Sequence, residues 1–162
     1  RVDNNKIYLK LKINNKESSN KRKIIFIDRG VNFLKFYPKS DKKKYIKKMN
    51  EILSIISNEH EQYFELIFKT HPRQKILDFD IYSFKTKYKS EYLEDVLENE
   101  RDNIYCIIGI SSTGLKISDI YGVKTYTIKN LLNLGEDLRF RKTIMDNTNI
   151  ISIDDFEKLK KI

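Results

Sequence analysis

Apolar residues recur along the chain in two alternating patterns. Short continuous runs of β-formers predict strands that are buried on both faces, and these runs cover residues 23–28, 63–69, 104–110, 123–128 and 149–153. Apolar residues at helical spacing predict amphipathic helices between the runs, and these segments cover residues 41–58, 90–100, 114–122, 135–145 and 154–162. The alternation predicts βαβ units, so the expected fold class is α/β: a Rossmann-like, doubly wound, mostly parallel sheet of about five strands.

The ends of the predicted helices carry further signals. Asp41 and Ser90 are expected N-caps, because their side-chain oxygens can accept hydrogen bonds from the free N–H groups of a first helical turn. Gly122 is expected to close the third helix.

Three segments lie outside this alternation. Residues 6–13 alternate apolar and polar positions, which is typical of a half-buried strand, and residues 14–22 form a polar stretch. Residues 76–89 are compatible with an edge strand or an extended loop. We expect residues 1–22 to be a linker or the end of a missing N-terminal domain, and residues 23–162 to form the Rossmann-like domain.

The length bounds the organisation of the chain. Its 162 residues suffice for one buried core, so a single domain is expected. No apolar run approaches the roughly 20 residues of a membrane span, and the N-terminal stretch lacks the apolar core of a signal peptide. The expected location is the cytoplasm, with association at the inner face of the cytoplasmic membrane as the alternative. The chain begins without Met, which is compatible with a piece of a longer protein.

The net charge is +9, from 32 Lys and Arg against 23 Asp and Glu, and this balance invites a nucleic-acid interpretation. We give it less weight, because Ala and Trp are absent while Lys, Ile, Asn and Tyr are abundant, a bias typical of A/T-rich codons. The balance still suits an anionic ligand or peripheral contact with an anionic membrane surface. No nucleic-acid partner is expected.

Ligands of an open parallel sheet bind beyond the carboxyl ends of its strands. The residues that follow the predicted strands include Asp28-Arg29-Gly30, Thr70–Arg73 and Ser111–Gly114. In GISSTG, residues 109–114, two glycines permit a tight turn, three hydroxyls can donate hydrogen bonds, and a helix start adds free N–H groups. This turn predicts a site for a phosphate or carboxylate, and a ligand-free serine-rich N-cap is the alternative.

The segment FKTHPRQK, residues 68–75, has the same placement after another strand. His71 can donate a hydrogen bond to a phosphate oxygen or supply a proton. Pro72 stiffens the turn, and Lys69 and Arg73 raise the positive potential around it. The segment is therefore a second candidate for anion binding.

Convergence of the two turns would make one site. If the preceding strands are near each other in the sheet, His71 and the hydroxyls of residues 111–113 form a phosphate clamp without a metal. No metal or other cofactor is expected, because two histidines and one cysteine offer no ligand cluster. Ser112 lies in no G-x-S-x-G elbow, which disfavours a hydrolase. Cys106 is expected to be a small buried hydrophobe, and His60 to be exposed at a helix end.

The pairing of Lys69-Thr70-His71-Pro72-Arg73 with Ser111-Ser112-Thr113-Gly114 resembles the donor-binding half of bacterial sialyltransferases. These are the lipooligosaccharide sialyltransferases and the capsular polysialyltransferases, which share an HP motif and a Ser/Thr motif. Glu91, at the start of a helix between the motifs, also resembles their layout. The resemblance covers roughly residues 23–128 and implies a GT-B glycosyltransferase whose C-terminal half binds CMP-sialic acid.

The resemblance also implies roles for individual residues. His71 would contact the CMP phosphate and protonate the leaving group, and Glu91 would contact the ribose or the base. The serine turn would hold the phosphate or the sialyl carboxylate, and the transfer would invert the sugar without a metal. Together with the placement of the two turns, this gives expected catalytic residues His71 and Asp28, and expected substrate-binding residues Lys69, His71, Pro72, Arg73, Glu91, Gly109, Ser111, Ser112 and Thr113.

The sequence departs from this family in two respects. The family's acidic motif, Asp/Glu-Asp/Glu-Gly, supplies a general base for the acceptor hydroxyl, and its nearest match is Asp28-Arg29-Gly30, in which arginine replaces the second acid. Asp28 is the candidate base on this match. The acceptor-binding half is also missing, so we expect an isolated donor domain. The implied partners are a nucleotide-sugar donor and a glycan acceptor such as capsular polysialic acid or lipooligosaccharide.

Three alternatives stay open. A CDP-alcohol phosphotransferase of the teichoic-acid type also has an HP motif, although it typically has Asp-Tyr before its serine pair, where this chain has Gly109-Ile110. A basic nucleic-acid-binding domain is compatible with FKTKYK, residues 84–89, although no RRM, KH or OB signature accompanies it. A catalytically silent interaction domain is the third alternative.

Overall fold

The computed structural model describes residues 21–29, 34, 41–71, 79–88, 91–132 and 148–162. Within these ranges the elements follow the order β1 (Lys23–Ile27), α1 (Lys42–His60), β2 (Glu65–Lys69), α2 (Leu93–Glu100), β3 (Ile104–Gly109), α3 (Thr113–Ile120), β4 (Thr125–Thr127), β5 (Ile151–Ser152) and α4 (Phe156–Lys160). Short 3₁₀ turns occupy Arg101–Asn103 and Lys129–Leu132. The predicted strand at 6–13 and the predicted helix at 135–145 lie outside the described residues.

The strands form one parallel sheet with the order β2-β1-β3-β4-β5. The carboxyl ends of the three strands at one side are in register, because Ile27 pairs with Lys69 of β2 and with Gly109 of β3. The predicted Rossmann-like α/β fold class is thereby confirmed. Strand β1, the first strand among the described residues, lies inside the sheet rather than at its edge.

Helices cover both faces of the sheet and give it two apolar cores. On one face α1 and α4 pack against alternate strand residues such as Phe26 and Phe68, whose rings stack at 5.5 Å. On the other face α2 and α3 pack against Ile25, Ile67 and Ile107. Burial on both faces explains why the strands read as continuous apolar runs in the sequence.

Two of the three predicted helix boundaries are confirmed. Asp41 caps α1, since its Oδ1 accepts hydrogen bonds from the backbone N–H groups of Lys43 and Lys44 at 2.7 and 3.3 Å. Gly122 follows α3 with a φ of 74°, in the left-handed region that glycine adopts without strain. The prediction for Ser90 is wrong, because α2 begins at Leu93 and its N-cap position is Tyr92.

Residues 79–88 run as an extended loop beside β2, and Lys85 pairs with this strand through its backbone. Lys85 donates a backbone hydrogen bond to the Leu66 carbonyl at 2.9 Å and accepts one from the Phe68 N–H at 3.0 Å. Glu65 secures the same segment, because its Oε1 accepts hydrogen bonds from the ammonium groups of Lys85 and Lys87 at 3.0 and 2.8 Å. Of the two alternatives for residues 76–89, the extended loop is observed over residues 79–88, and residues 76–78 and 89 lie outside the described residues.

His60 differs from its expected exposed position. The residue is buried at the C-terminal end of α1, where its Nε2 lies 3.4 Å from the carbonyl oxygen of Leu159 in α4, and its ring contacts Phe64. The prediction failed because α4 returns from the far end of the chain to cover the end of α1. No helix in the described part of the chain is long and apolar enough to span a bilayer.

Candidate functional site

The strand order fixes where the sheet opens a crevice. The chain passes from β1 to β2 on one side, and it continues from β3 through β4 to β5 on the other. The helices that follow β1 and β3 therefore lie on opposite faces, α1 on one and α3 on the other. In open α/β sheets such a switch point is where ligands bind. The residues that border it are Asp28 and Arg29 after β1 and Ser111–Thr113 after β3.

Arg29 joins the ends of these two strands. Its Nη1 donates a hydrogen bond to Ser111 Oγ at 3.3 Å, and the two residues are 82 positions apart in the sequence. The contact fixes a permanent positive charge at the edge of the serine turn. From the sequence, Arg29 is placed directly after a predicted strand but is assigned no binding role, and it is absent from the expected site residues. Its position directly after a buried strand was the signal that could have identified it.

The start of α3 presents hydrogen-bond donors to the same edge. Ser112 occupies the N-cap position in an extended conformation, yet its side chain makes no capping hydrogen bond. Its Oγ is buried and has no hydrogen-bond partner within the described part of the chain. Thr113 is exposed and begins the helix, whose first N–H groups carry partial positive charge. The turn therefore offers a buried hydroxyl and helix-start N–H groups next to the Arg29 charge.

Gly109 sets how closely α3 approaches the sheet. A Cβ at this position would lie 3.0 Å from Leu115 Cδ2 and 3.4 Å from the carbonyl oxygen of Ile27. Gly114 is similarly tight, since a Cβ there would lie 3.1 Å from Leu93 Cδ2 in α2. Both glycines thus position the serine turn through packing. A direct contact of Gly109 with a substrate stays a prediction.

Asp28, the candidate general base, is 2% exposed. Its backbone N–H donates to the Lys69 carbonyl at 3.0 Å, and its carboxylate lies near the Tyr45 hydroxyl of α1. Burial raises the pKa of Tyr45 strongly, and the Asp28 charge raises it further, while Arg29 opposes both. The position of Asp28 beneath the crevice disfavours direct contact with an acceptor hydroxyl, because a general base must lie within hydrogen-bond reach of the proton that it removes.

The Lys69 side chain contacts the backbone of Glu91. Lys69 is 4% exposed, and its Nζ donates to the carbonyl oxygens of Tyr88 at 2.8 Å and Glu91 at 2.7 Å. Burial lowers the pKa of Lys69, while the charges of Glu91 and Glu94 partly offset this effect. Lys69 therefore braces the segment that precedes α2 against the end of β2. The Lys69 ammonium already donates to these two carbonyl oxygens, which competes with its predicted contact with substrate. The Glu91 side chain is exposed at the start of the same segment.

His71 is exposed two residues after the end of β2. The strands β2 and β3 are not direct neighbours, since β1 lies between them. At roughly 4.8 Å per strand, β2 and β3 are about 10 Å apart. A clamp from His71 to the serine turn would therefore reach across the end of β1 and over Arg29. This convergence stays a prediction, and Pro72 and Arg73 lie outside the described residues.

Cys106 is confirmed as a buried residue inside β3, and burial raises the pKa of its thiol to about 12. A thiol in that environment stays protonated and inert. Among the residues that the structure describes, no group of three or more His, Cys, Asp and Glu side chains is placed to hold a metal ion. Among the described residues, the crevice thus offers a guanidinium, hydroxyls and helix N–H groups.

Comparisons of the chain with protein-family models, with curated proteins and with solved structures gave no match. The functional interpretation therefore depends on the geometry of the crevice and on the resemblance of its two motifs.

Proposed function

We propose that this chain is the donor-binding domain of a glycosyltransferase, which binds CMP-sialic acid for transfer of sialic acid to a surface glycan such as capsular polysialic acid or lipooligosaccharide. The observation that supports this most is the junction of Arg29 with the serine turn at the carboxyl ends of β1 and β3. It adds a fixed cation to a turn whose sequence already resembles the Ser/Thr motif of sialyltransferases.

The charges of the donor fit this junction. CMP-sialic acid carries a phosphodiester and a carboxylate, and transfer breaks the bond between the sialyl anomeric carbon and a phosphate oxygen. A bond from that carbon to an acceptor oxygen forms, the acceptor proton passes to a base, and negative charge develops on the phosphate of the departing CMP. In this proposal Arg29 and the start of α3 stabilise that charge. His71 protonates the departing phosphate.

A titration with CMP tests the proposal without an acceptor. Amide chemical shifts of residues 28–29 and 111–113 are followed by NMR while CMP is added. We expect saturable shifts at these positions. Arg29→Gln and Ser112→Ala should each weaken CMP binding about tenfold, because charge-assisted and buried hydrogen bonds contribute roughly 1.5–3 kcal/mol. Lys47→Gln is the matched control, since it removes one charge from an exposed position of α1.

Parallel ligands separate the alternatives. Tight binding of CDP-glycerol without binding of CMP-sialic acid would overturn the proposal in favour of a CDP-alcohol phosphotransferase. RNA affinity above that for CMP, with a steep dependence on salt, would favour a nucleic-acid-binding domain. Equal CMP affinity in the wild type and in Arg29→Gln would place the nucleotide elsewhere on the molecule.

A further inference from the structure

A second cleft opens at the opposite edge of the sheet, at the amino ends of β1, β3 and β4. Its volume is about 530 Å³, which lies within the roughly 300–1,000 Å³ of small-molecule sites. The cleft is separate from the crevice described above, since that crevice lies at the carboxyl ends of the strands. The lining residues that matter for its chemistry are Arg22, Arg101, Asp102, Tyr105, Tyr121 and Lys124.

The charged groups of this cleft are mainly positive. Arg22, Arg101 and Lys124 contribute three cations, and Asp102 is the acid in the lining. The Asp102 side chain is 97% exposed, and its Oδ1 lies 3.8 Å from the Nε of Arg101. Within the described part of the chain neither Arg22 nor Lys124 forms an ion pair with a carboxylate. Both cations lie near the Tyr105 ring, at 5.4 and 5.8 Å from its centroid, so an anion at this opening is attracted by both.

Both cations are held in place by neighbouring aromatic and backbone groups. The Arg22 guanidinium lies 5.4 Å from the centroid of the Tyr105 ring and donates a hydrogen bond to the Ile104 carbonyl at 2.8 Å. The Lys124 ammonium lies 5.8 Å from the same ring and 5.3 Å from that of Tyr126. A hydrogen bond with Tyr126 raises the pKa of Lys124, so the side chain stays charged. Fixed cations lose less rotamer entropy when a ligand binds.

We propose that this cleft binds the phosphate group of a small phosphorylated molecule. A phosphate matches the arginine and lysine donors. Guanidinium groups form bidentate hydrogen bonds with two phosphate oxygens, and ammonium groups bind phosphate as point charges. A dianion also neutralises both Arg22 and Lys124, which a single carboxylate does not. Tyr105 and Tyr121 also line the cleft and give the rest of the molecule aromatic residues to contact.

Inorganic pyrophosphate is the probe for this site. It is titrated into the ¹⁵N-labelled protein, and amide shifts of residues 101–105 and 121–124 are followed. We expect saturable shifts there, with affinity reduced about tenfold in Lys124→Gln and in Arg101→Gln. Lys47→Gln should leave this affinity unchanged, since Lys47 does not line the cleft. Circular dichroism checks that each variant is folded.

Phosphate can come from a soluble molecule or from a lipid headgroup. Sedimentation with vesicles of anionic phospholipid distinguishes these sources, and vesicle binding that is lost in Lys124→Gln would assign the headgroup. The proposal is overturned if neither pyrophosphate nor vesicles bind. It is also overturned if Lys47→Gln weakens binding as much as Lys124→Gln, because binding would then follow net charge alone. Shifts confined to residues 28–29 and 111–113 would place the phosphate in the other crevice.

Discussion

Replacing Lys69 by methionine separates a structural brace from a ligand contact. The substitution keeps an unbranched side chain of similar length and removes the ammonium group, which donates to the carbonyl oxygens of Tyr88 and Glu91 at 2.8 and 2.7 Å. Each such bond contributes roughly 1.5–3 kcal/mol, so the two together contribute about 3–6 kcal/mol. Relief from burying a charge offsets part of this loss. We expect the free energy of unfolding to fall by about 2 kcal/mol.

The assay is reversible urea or thermal unfolding followed by circular dichroism. For a chain of this size a loss of about 2 kcal/mol lowers the Tm by roughly 4–8 °C. Lys47→Met is the matched control, because Lys47 is exposed on α1 and its replacement should change stability by less than about 0.5 kcal/mol. CMP affinity of the folded variant is measured alongside. We expect the free energy of CMP binding to change by less than the free energy of unfolding.

A specific result would refute this reasoning. If Lys69→Met unfolds at the wild-type temperature and loses CMP binding, then Lys69 acts on the ligand as its motif position suggested. A stability loss equal to that of Lys47→Met would also contradict the brace, since the two carbonyl contacts would then contribute nothing measurable.

Three further changes test the site, the packing beneath it and the loop beside β2. His71→Ala should weaken CMP binding about tenfold while the circular dichroism spectrum is unchanged, because the side chain is exposed and a hydrogen bond to a charged phosphate contributes roughly 1.5–3 kcal/mol; an unfolded variant would show a structural role instead. Gly109→Ala should lower the free energy of unfolding by about 1–3 kcal/mol in urea titrations, since its Cβ would lie 3.0 Å from Leu115 Cδ2, and wild-type stability would show that Leu115 moves aside freely. Burial raises the pKa of Glu65, but hydrogen bonds from two lysines outweigh it and the pKa is lowered from 4.5. Its stabilising contribution is therefore present above pH 4.5 and is lost as the pH falls through the lowered pKa, so the stability deficit of Glu65→Gln at about pH 7 should shrink at about pH 3; a deficit independent of pH would contradict this.

The sequence predicted the elements of the fold better than their arrangement. Continuous apolar runs such as 104–110 identify buried strands because both faces of the sheet are covered, and this burial is visible locally. The strand order is not visible in the local sequence, because the position of β1 between β2 and β3 depends on contacts between distant segments. The start of α2 was misplaced for a related reason: the segment before it is held by Lys69, 22 residues away from Glu91.

The candidate site was predicted in the same uneven way. The serine turn at 111–113 was recognisable because glycines, hydroxyls and a helix start are neighbours in the chain. The role of Arg29 was not recognisable from the sequence, because its contact with Ser111 joins residues 82 positions apart. The burial of Asp28 was also not predictable from local sequence, because a charged residue after a strand is usually exposed, whereas Asp28 lies beside Tyr45 of α1, a distant segment.

The contact between Lys85 and β2 has a consequence for self-association. An outer strand with unpaired backbone groups is a template on which another chain can add a strand and start an aggregate. Here the carbonyl of Leu66 and the N–H of Phe68 are already bonded to Lys85, and charged lysine side chains cross the same border to reach Glu65. The loop thus occupies backbone groups of β2 that could otherwise pair with a strand of another chain. Cleavage or displacement of residues 79–88 would expose these backbone groups of β2 and allow another chain to pair with the strand.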